Sequence, residues 1–331
     1  MPTYVCALMA VIPARMIVRL GRQVRREQEL GSYTIGELLG RGGMGEVYSA
    51  KHRLLARPAA IKLIQRRLLE EVSPETARAT LERFHREAEA VAALRSPHTV
   101  SLYDFGVTDE GTMFYVMELL DGLSMEDLVW RFGPLPEERA IYLLRQVCLS
   151  LEEAHLRGLV HRDIKPGNIH VCRLGSMVDF VKVLDFGLVK GTEREASTGA
   201  NLTAPGAVVG TPTFMAPELF VGDAPDERSD VYAIGCVAYW LLTGRRVFEG
   251  SSTMHIVAQL LADDAPSVSD RAPYPLSPAL ERLVMRCLAR DPAARPKHAG
   301  ELRELLETCH EGDSWTSRRA QGWWNSHLSA A

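Results

Sequence analysis

Three short motifs follow one another in a fixed order, and together they limit the folds open to this chain more than any other feature. They read His-Arg-Asp-Ile-Lys-Pro-Gly-Asn at 161–168, Asp-Phe-Gly at 185–187 and Ala-Pro-Glu at 216–218. Within them, Asn168 and Asp185 supply oxygen ligands of the kind that Mg²⁺ prefers. Each motif alone is common, so the prediction depends on their order and context.

The tripeptide Asp-Phe-Gly occurs twice, which shows how little one copy means by itself. The first copy, at 104–106, follows the alternating run 100–103 and is predicted to be the turn that ends a strand. The second copy follows an apolar strand pattern at 180–184 and lies between the other two motifs. Only the second copy therefore has the context of a functional motif.

A glycine-rich run, Gly-Arg-Gly-Gly-Met-Gly-Glu-Val, occupies residues 40–47 after a strand pattern at 33–39. The spacing Gly-x-Gly-x-x-Gly also occurs in dinucleotide-binding folds, where a helix follows the third glycine. Here residues 46–50 keep a strand pattern instead. This favours a β-hairpin whose glycines let backbone N–H groups approach phosphate oxygens closely.

Taken in order, these motifs resemble a protein kinase, and the run 42–48 looks most like a bacterial serine/threonine kinase of the eukaryotic-like family. The resemblance implies transfer of the ATP γ-phosphoryl group to Ser/Thr hydroxyls of proteins. By this resemblance, Asp163 accepts the proton of the substrate hydroxyl, and Lys165 places a positive charge near the transferred phosphoryl group. Asn168 and Asp185 become ligands of Mg²⁺, with Mn²⁺ as its substitute.

ATP binding by this resemblance involves the glycine-rich loop, a strand at 59–64 and a hinge at 112–120. The residues are Leu39, Gly40, Arg41, Gly42, Gly43, Met44, Gly45, Glu46, Val47, Ala60, Lys62, Met117, Glu118 and Leu120. Lys62 would contact the phosphates, whereas its structural alternative is an edge lysine that reaches solvent. His170 departs from the pattern, because the family has an apolar residue beneath the adenine there.

The period of the apolar residues predicts a helix over 73–94, and Glu87 on it resembles the glutamate that pairs with Lys62. Glu82 and Glu89 are the competing residues. A two-residue step turns about 200° around a helix, so Glu89 faces elsewhere, and Glu82 is also poorly placed. Glu87 is therefore the predicted partner.

Regulation is predicted in the polar segment between 187 and 216. Thr203 is the first choice for a phosphorylated residue, with Ser197 and Thr198 behind it, and Arg162 would bind that phosphate. Thr211 is expected to bridge Asp163 and Lys165.

Two structural contacts also follow from the resemblance. Asp230, near the start of an apolar helix predicted from Ser229, would brace the backbone of the 161–168 loop, and its alternative role is a helix N-cap. Glu218 would form a structural ion pair with Arg295.

Composition excludes several other classes of protein. The chain has 38 Lys and Arg against 42 Asp and Glu, so no global positive field would attract nucleic acid. Its six cysteines are scattered without Cys-x-x-Cys spacing, which fits a reducing, cytoplasmic location. The apolar run 4–14 is shorter than the roughly 20 residues of a membrane span, and no transmembrane segment is predicted.

We therefore predict an α+β, two-lobed protein kinase fold with a small β-rich amino-terminal lobe, one main helix in it, and a larger helical carboxy-terminal lobe. The domain is placed at 33–309, with lobes 33–118 and 119–309, between a weakly ordered extension 1–32 and a tail 310–331. The extension is a candidate partner-binding or membrane-surface helix. Trp315, Trp323 and Trp324 in the tail either anchor a partner or dock onto the protein itself.

A catalytically silent, kinase-like scaffold is the alternative function. It would be favoured by loss of Lys62, Asp163, Asn168 or Asp185, and all four are present.

Overall fold

The computed structural model describes residues 29–42, 45–64, 74–108, 111–187, 212–309 and 314–328. These residues form two compact units. One contains the described residues up to Leu81 together with Ser101–Leu119, and the other contains Glu82–Val100 and the described residues from Leu120 onward.

The first unit is built on an antiparallel sheet of six strands in the order β1-β2-β3-β4-β6-β5. Its strands are β1 Glu29–Leu30, β2 Tyr33–Gly42, β3 Gly45–His52, β4 Pro58–Ile64, β5 Leu102–Val107 and β6 Met113–Glu118. Because side chains alternate along a strand, each strand presents one face to the core and one face away from it. Ala59, Ile61 and Val116 pack with Tyr33 and Ala50 on the core face.

The first Asp-Phe-Gly copy lies inside a strand, so its prediction as a turn was wrong. Asp104, Phe105 and Gly106 belong to β5 and pair with successive residues of β6. The pairing of β5 with β6 shifts register between Leu102 and Asp104, and it is regular from Asp104 to Val107. Pairing with a neighbouring strand thus overrode the turn tendency of the Asp and Gly residues.

The second unit is mainly helical. Helix α1, Pro74–Ala92, begins in the first unit and ends in the second, and α2 Met125–Phe132, α3 Glu137–Leu156, α4 Glu227–Thr243, α5 Thr253–Ala262, α6 Pro278–Cys287, α7 Ala299–Glu307 and α8 Ser317–His327 follow. A three-stranded antiparallel sheet contains β7 Gly122–Ser124, β8 Ile169–Leu174 and β9 Met177–Val183. Helix α4 is buried from Ser229 to Tyr239 and is the central helix of this unit. None of the helices in the described ranges is long and apolar enough to cross a bilayer.

Local sequence signals explain where several helices begin and end. The Ser124 hydroxyl accepts the Asp127 N–H at 3.0 Å and caps α2, and Gly158 (φ +70°) follows the end of α3. Helix α4 begins at Glu227, two residues before the predicted start, because Asp226 forms a capping box with Ser229. Asp230 is therefore inside the first turn and is not the N-cap.

Candidate active site

The loop 161–168 is held by a buried carboxylate on helix α4. Asp230, 1% exposed, accepts the backbone N–H of His161 at 2.8 Å on Oδ2 and that of Arg162 at 3.0 Å on Oδ1. Oδ2 also accepts a hydrogen bond from His155 Nε2 at 3.0 Å. Because Ala299 N–H donates to His155 Nδ1, the ring hydrogen that faces Asp230 is on Nε2. Arg162 has φ +66°, so the bond from Asp230 stabilises a sparsely populated backbone conformation.

His161 is fully buried and connects the first motif to the second. Its Nδ1 accepts the Asp163 N–H at 3.2 Å, so Nε2 donates to the Leu184 carbonyl at 2.9 Å. Burial lowers the pKa of His161, although the nearby carboxylates Asp230 and Asp163 oppose the shift. The neutral imidazole therefore acts as a structural link.

The polar side chains of the loop converge on Asp163. Its Oδ2 accepts hydrogen bonds from Lys165 Nζ at 3.0 Å and from Asn168 Nδ2 at 2.9 Å. Asn168 Nδ2 also donates to the Asp163 carbonyl at 2.9 Å. Because the amide nitrogen of Asn168 donates both of these bonds, the other polar atom of its side chain is the oxygen Oδ1, which is the kind of ligand that a hard divalent cation prefers.

The second Asp-Phe-Gly copy lies next to this loop. Leu184 N–H donates to the Asn168 carbonyl at 2.9 Å, and Gly187 N–H donates to the His161 carbonyl at 2.9 Å. Phe186 packs on His161 with ring centres 4.4 Å apart. Asp185 itself has φ +58°, a second non-glycine residue in the left-handed region at this site.

In the first unit, four of the predicted ATP-binding residues share one face of the sheet. Strand register places Val47 opposite Lys62 on β4, and Ala60 opposite Met117 on β6. Lys62 and Ala60 are two residues apart, so all four side chains point the same way. Lys62 is 8% exposed, and its Nζ lies 5.7 Å from the ring centre of Tyr115. Lys62 is therefore a buried cation on a central strand, so the edge-lysine alternative was wrong.

The glycine-rich run forms the predicted hairpin of β2 and β3. Gly45 has φ +149°, and a Cβ there would lie 1.9 Å from the Leu63 carbonyl oxygen, so only glycine fits. Arg41 Nε pairs with Glu46 at 2.7 Å across the hairpin. The Tyr48 hydroxyl also donates to Glu46, which together with Arg41 lowers the pKa of that carboxyl.

The remaining predicted ATP-binding residues at 39–44 differ in their surroundings. Leu39 is exposed, Gly40 and Gly42 have open space where a Cβ would be, and Gly43 and Met44 lie outside the described residues.

Glu87 lies on the second-unit part of α1, and its Oε1 is 3.9 Å from Arg162 Nη1. Burial raises the pKa of Glu87, while Arg162, Arg83 and Arg86 act in the opposite direction. Its Oε2 is buried without a hydrogen-bond partner among the described residues. The predicted pairing of Glu87 with Lys62 stays a prediction, as does a phosphate on Arg162.

The hinge residues and His170 lie in ordered backbone. Glu118 N–H donates to the Ser101 carbonyl at the end of β6, its carboxylate accepts the Ser101 N–H, and Leu120 follows in the other unit, half-buried. His170 pairs with Ser124 and Lys182 across β7, β8 and β9. Its Nδ1 is buried without a hydrogen-bond partner in the described part of the chain, and burial lowers its pKa.

A buried ion pair connects the third motif to the end of the domain. Arg295 donates to both Glu218 oxygens, at 2.8 and 2.9 Å, and to the carbonyls of Ala289, Arg228 and Arg290. The predicted contact between these motifs is therefore present. Thr203, Thr211, Ser197 and Thr198 lie outside the described residues.

Sequence reasoning missed His155 in this site. It lies six residues before His161 near the end of α3, where it resembles an ordinary helix-terminal histidine. Only its hydrogen bond to Asp230 shows that it helps to hold the carboxylate that binds the backbone of the 161–168 loop.

The protein kinase domain family model matches residues 33–308. The serine/threonine-protein kinase pkn3 of Myxococcus xanthus is 38% identical over 276 residues, which cover 83% of this chain and 49% of that protein. PknB of Mycolicibacterium smegmatis is 38% identical over 285 residues, covering 85% of this chain and 43% of PknB. The chain thus spans less than half the length of these two curated relatives.

Solved structures agree with the fold. The PknI kinase domain of Mycobacterium tuberculosis, solved as a point mutant, has a TM-score of 0.63 at 26% identity, over 84% of this chain and 96% of that one. Rad53 in complex with AMP-PNP has a TM-score of 0.66 at 24% identity, which shows likeness of fold alone. The predicted α+β kinase fold class is confirmed. With a family match over most of its length and its motifs arranged as described, this chain belongs to the protein kinase family.

Proposed function

We propose that this protein is an ATP-dependent serine/threonine protein kinase of the bacterial type. The observation that carries the proposal is the cluster of Asp163, Lys165 and Asn168, held in place through the bonds of Asp230 to the loop backbone. Family membership and the names of the relatives support the same activity.

In the proposed reaction, a Ser or Thr hydroxyl oxygen of a protein attacks the γ-phosphorus of ATP in line with the leaving oxygen. The new O–P bond forms as the bond to the β,γ-bridging oxygen breaks, and ADP leaves. Asp163 accepts the hydroxyl proton, and Lys165 places positive charge where the transferred group gains negative charge. Asn168 and Asp185 would hold Mg²⁺, or Mn²⁺ in its place, which neutralises charge on the phosphates.

The first unit would bind the nucleotide. Lys62, with Glu87 as its partner, would contact phosphates, and Val47, Ala60 and Met117 would cover the base. The hairpin backbone at Gly40, Gly42 and Gly45 would approach the phosphates. Strand register supports a common face for the three base-covering residues and Lys62.

Signalling by autophosphorylation is part of the proposal, with Thr203 as the modified residue and Arg162 as its phosphate ligand. Because the reaction uses ATP, we place the kinase domain in the cytoplasm. Five cysteines in the described residues are free thiols, which fits this compartment. Residues 1–32 are proposed as a site of input from a partner.

Autophosphorylation with Mg·ATP tests the enzyme against the silent-scaffold alternative. We expect phosphoserine or phosphothreonine in the wild type, located by mass spectrometry, and its loss in Asp163→Asn. The two Asp-Phe-Gly copies offer a matched control, since Asp185→Asn should abolish the signal while Asp104→Asn should leave it unchanged. Phosphate at wild-type level in Asp163→Asn would refute the assigned base, and a wild type that binds no ATP would refute the enzyme.

A further inference from the structure

The carboxy-terminal segment 314–328, which lies beyond the family match, completes a buried charged cluster on strand β9. Asp179 is 0% exposed, and each of its carboxylate oxygens accepts two hydrogen bonds. Arg139 donates to Oδ1 at 2.8 Å and to Oδ2 at 3.0 Å. Trp324 Nε1 donates to Oδ1 at 2.6 Å, and Trp315 Nε1 donates to Oδ2 at 2.8 Å.

The rings of the same segment also cover Arg139, which is 1% exposed. Its guanidinium carbon lies 3.8 Å from the ring centre of Trp323 and 5.1 Å from that of Trp315. Burying an ion pair is favourable only when its remaining hydrogen-bonding capacity is satisfied. The tail supplies half of the side-chain donors to Asp179, so the tryptophans dock onto the protein itself.

The backbone at Asp179 explains why this anchoring matters. Asp179 has φ +53° within β9, a conformation that costs a non-glycine residue on the order of 1 kcal/mol. Between the pairs Cys172–Phe180 and Leu174–Met177, two residues of β9 lie opposite one residue of β8, so the extra residue of this bulge is in β9 itself. Gln146 bonds to the Asp179 carbonyl at 2.9 Å and to the Val181 N–H at 3.0 Å. Side chains therefore determine the path of the strand at this point.

Strand β9 leads from this cluster directly to the candidate metal ligands. It ends at Val183, which pairs with Ile169, the residue after Asn168. Leu184 N–H then bonds to the Asn168 carbonyl at 2.9 Å, and Asp185 follows. Only five residues thus lie between Asp179 and Asp185.

We propose that Trp315 and Trp324 are positioning residues for the kinase reaction, acting through Asp179 and β9 on the placement of Asp185 and Asn168. The inference rests on the proposed function, because it concerns the binding of Mg·ATP. Val183 is also bonded to the backbone of His98 and Val100, so loss of the indole donors leaves the strand held at its other end. The expected result is weaker metal-dependent binding in a folded protein.

The test uses the full chain and isothermal titration with ATP, once with excess Mg²⁺ and once with EDTA. Mutating outer-shell partners of metal ligands costs about 10–100-fold in affinity, and the tryptophans act one step further away. The quantity of interest is the dissociation constant for ATP in EDTA divided by that in excess Mg²⁺. We expect this ratio to be about 3–10-fold smaller in W315F/W324F than in the wild type. Trp→Phe keeps an aromatic ring and removes the Nε1 donor. Trp130→Phe, at a ring that is 83% exposed, is the matched control and should leave the ratio unchanged.

The outcomes separate the two proposals. If W315F/W324F has a lower melting temperature but the wild-type Mg²⁺ ratio, the tail is purely structural and the inference is wrong. If the wild type does not bind Mg·ATP, the proposed function fails as well. Should the double variant not fold, the ratio of the single W315F variant decides, because Trp315 is only half-buried.

Discussion

Replacing Asp230 with Asn tests whether this carboxylate holds the catalytic loop. Asp230 Oδ1 accepts a hydrogen bond from the Arg162 N–H, and Oδ2 accepts hydrogen bonds from the His161 N–H and from His155 Nε2. An Asn side chain has one oxygen and one NH₂ group, so in its better orientation it keeps the two Oδ2 bonds. The Arg162 N–H then faces another donor.

The minimum loss is one hydrogen bond to a charged acceptor, about 1.5–3 kcal/mol of unfolding free energy. For a domain of this size, that corresponds to a fall in melting temperature of about 3–12 °C. Since Arg162 is in a strained conformation beside Asp163, the proposed kcat should also fall, on the order of 10²-fold for a displacement near 1 Å.

Calorimetry and steady-state kinetics measure the two effects. Asp226→Asn is the matched control, because it makes the same change four residues earlier, at the N-cap of the same helix. Asn and Asp are equally good N-caps, so little change is expected there. Equal losses of stability in the two variants, or a normal kcat in Asp230→Asn, would refute the assigned role.

Three further predictions concern buried ionisable side chains. Arg295→Met leaves the Glu218 carboxylate buried without its partner and should cost about 3–5 kcal/mol in urea unfolding; a loss below 1 kcal/mol would contradict this. Burial raises the pKa of Glu87, so the native state binds its proton more tightly and stability falls as pH rises through that pKa. Glu87→Gln should raise the melting temperature at pH 7 but not at pH 4, while lowering activity; destabilisation at pH 7 would count against it. Burial lowers the pKa values of His161 and His170 from 6.5, so the unfolded state binds more protons and stability is lost as pH falls below 6.5. His170→Leu should lose less stability than the wild type between pH 7.5 and 5.5 in urea titrations; equal losses would contradict the assignment.

Local structure was predictable where neighbouring residues determine it. The cap at Ser124 and the glycine after α3 each satisfy backbone groups within a few residues, so their signals are visible in the sequence. The start of α4 also had such a signal, because Asp226 and Ser229 have capping-box spacing, but the prediction overlooked it. The turn predicted at 104–106 failed because strand pairing with β6 is a non-local interaction.

The sequence by itself determined the family, the order of the motifs and the residues proposed for chemistry, because these depend on residue type and spacing along the chain. Tertiary structure alone decided which distant groups meet outside the contacts that the family motifs imply, such as the pair of Glu218 and Arg295. Asp179 lies 40 residues from Arg139, 136 from Trp315 and 145 from Trp324 along the chain. His155 likewise meets Asp230 across 75 residues. Hydrogen bonds between such groups have no periodicity or fixed spacing, since they arise only when the elements that carry them pack together.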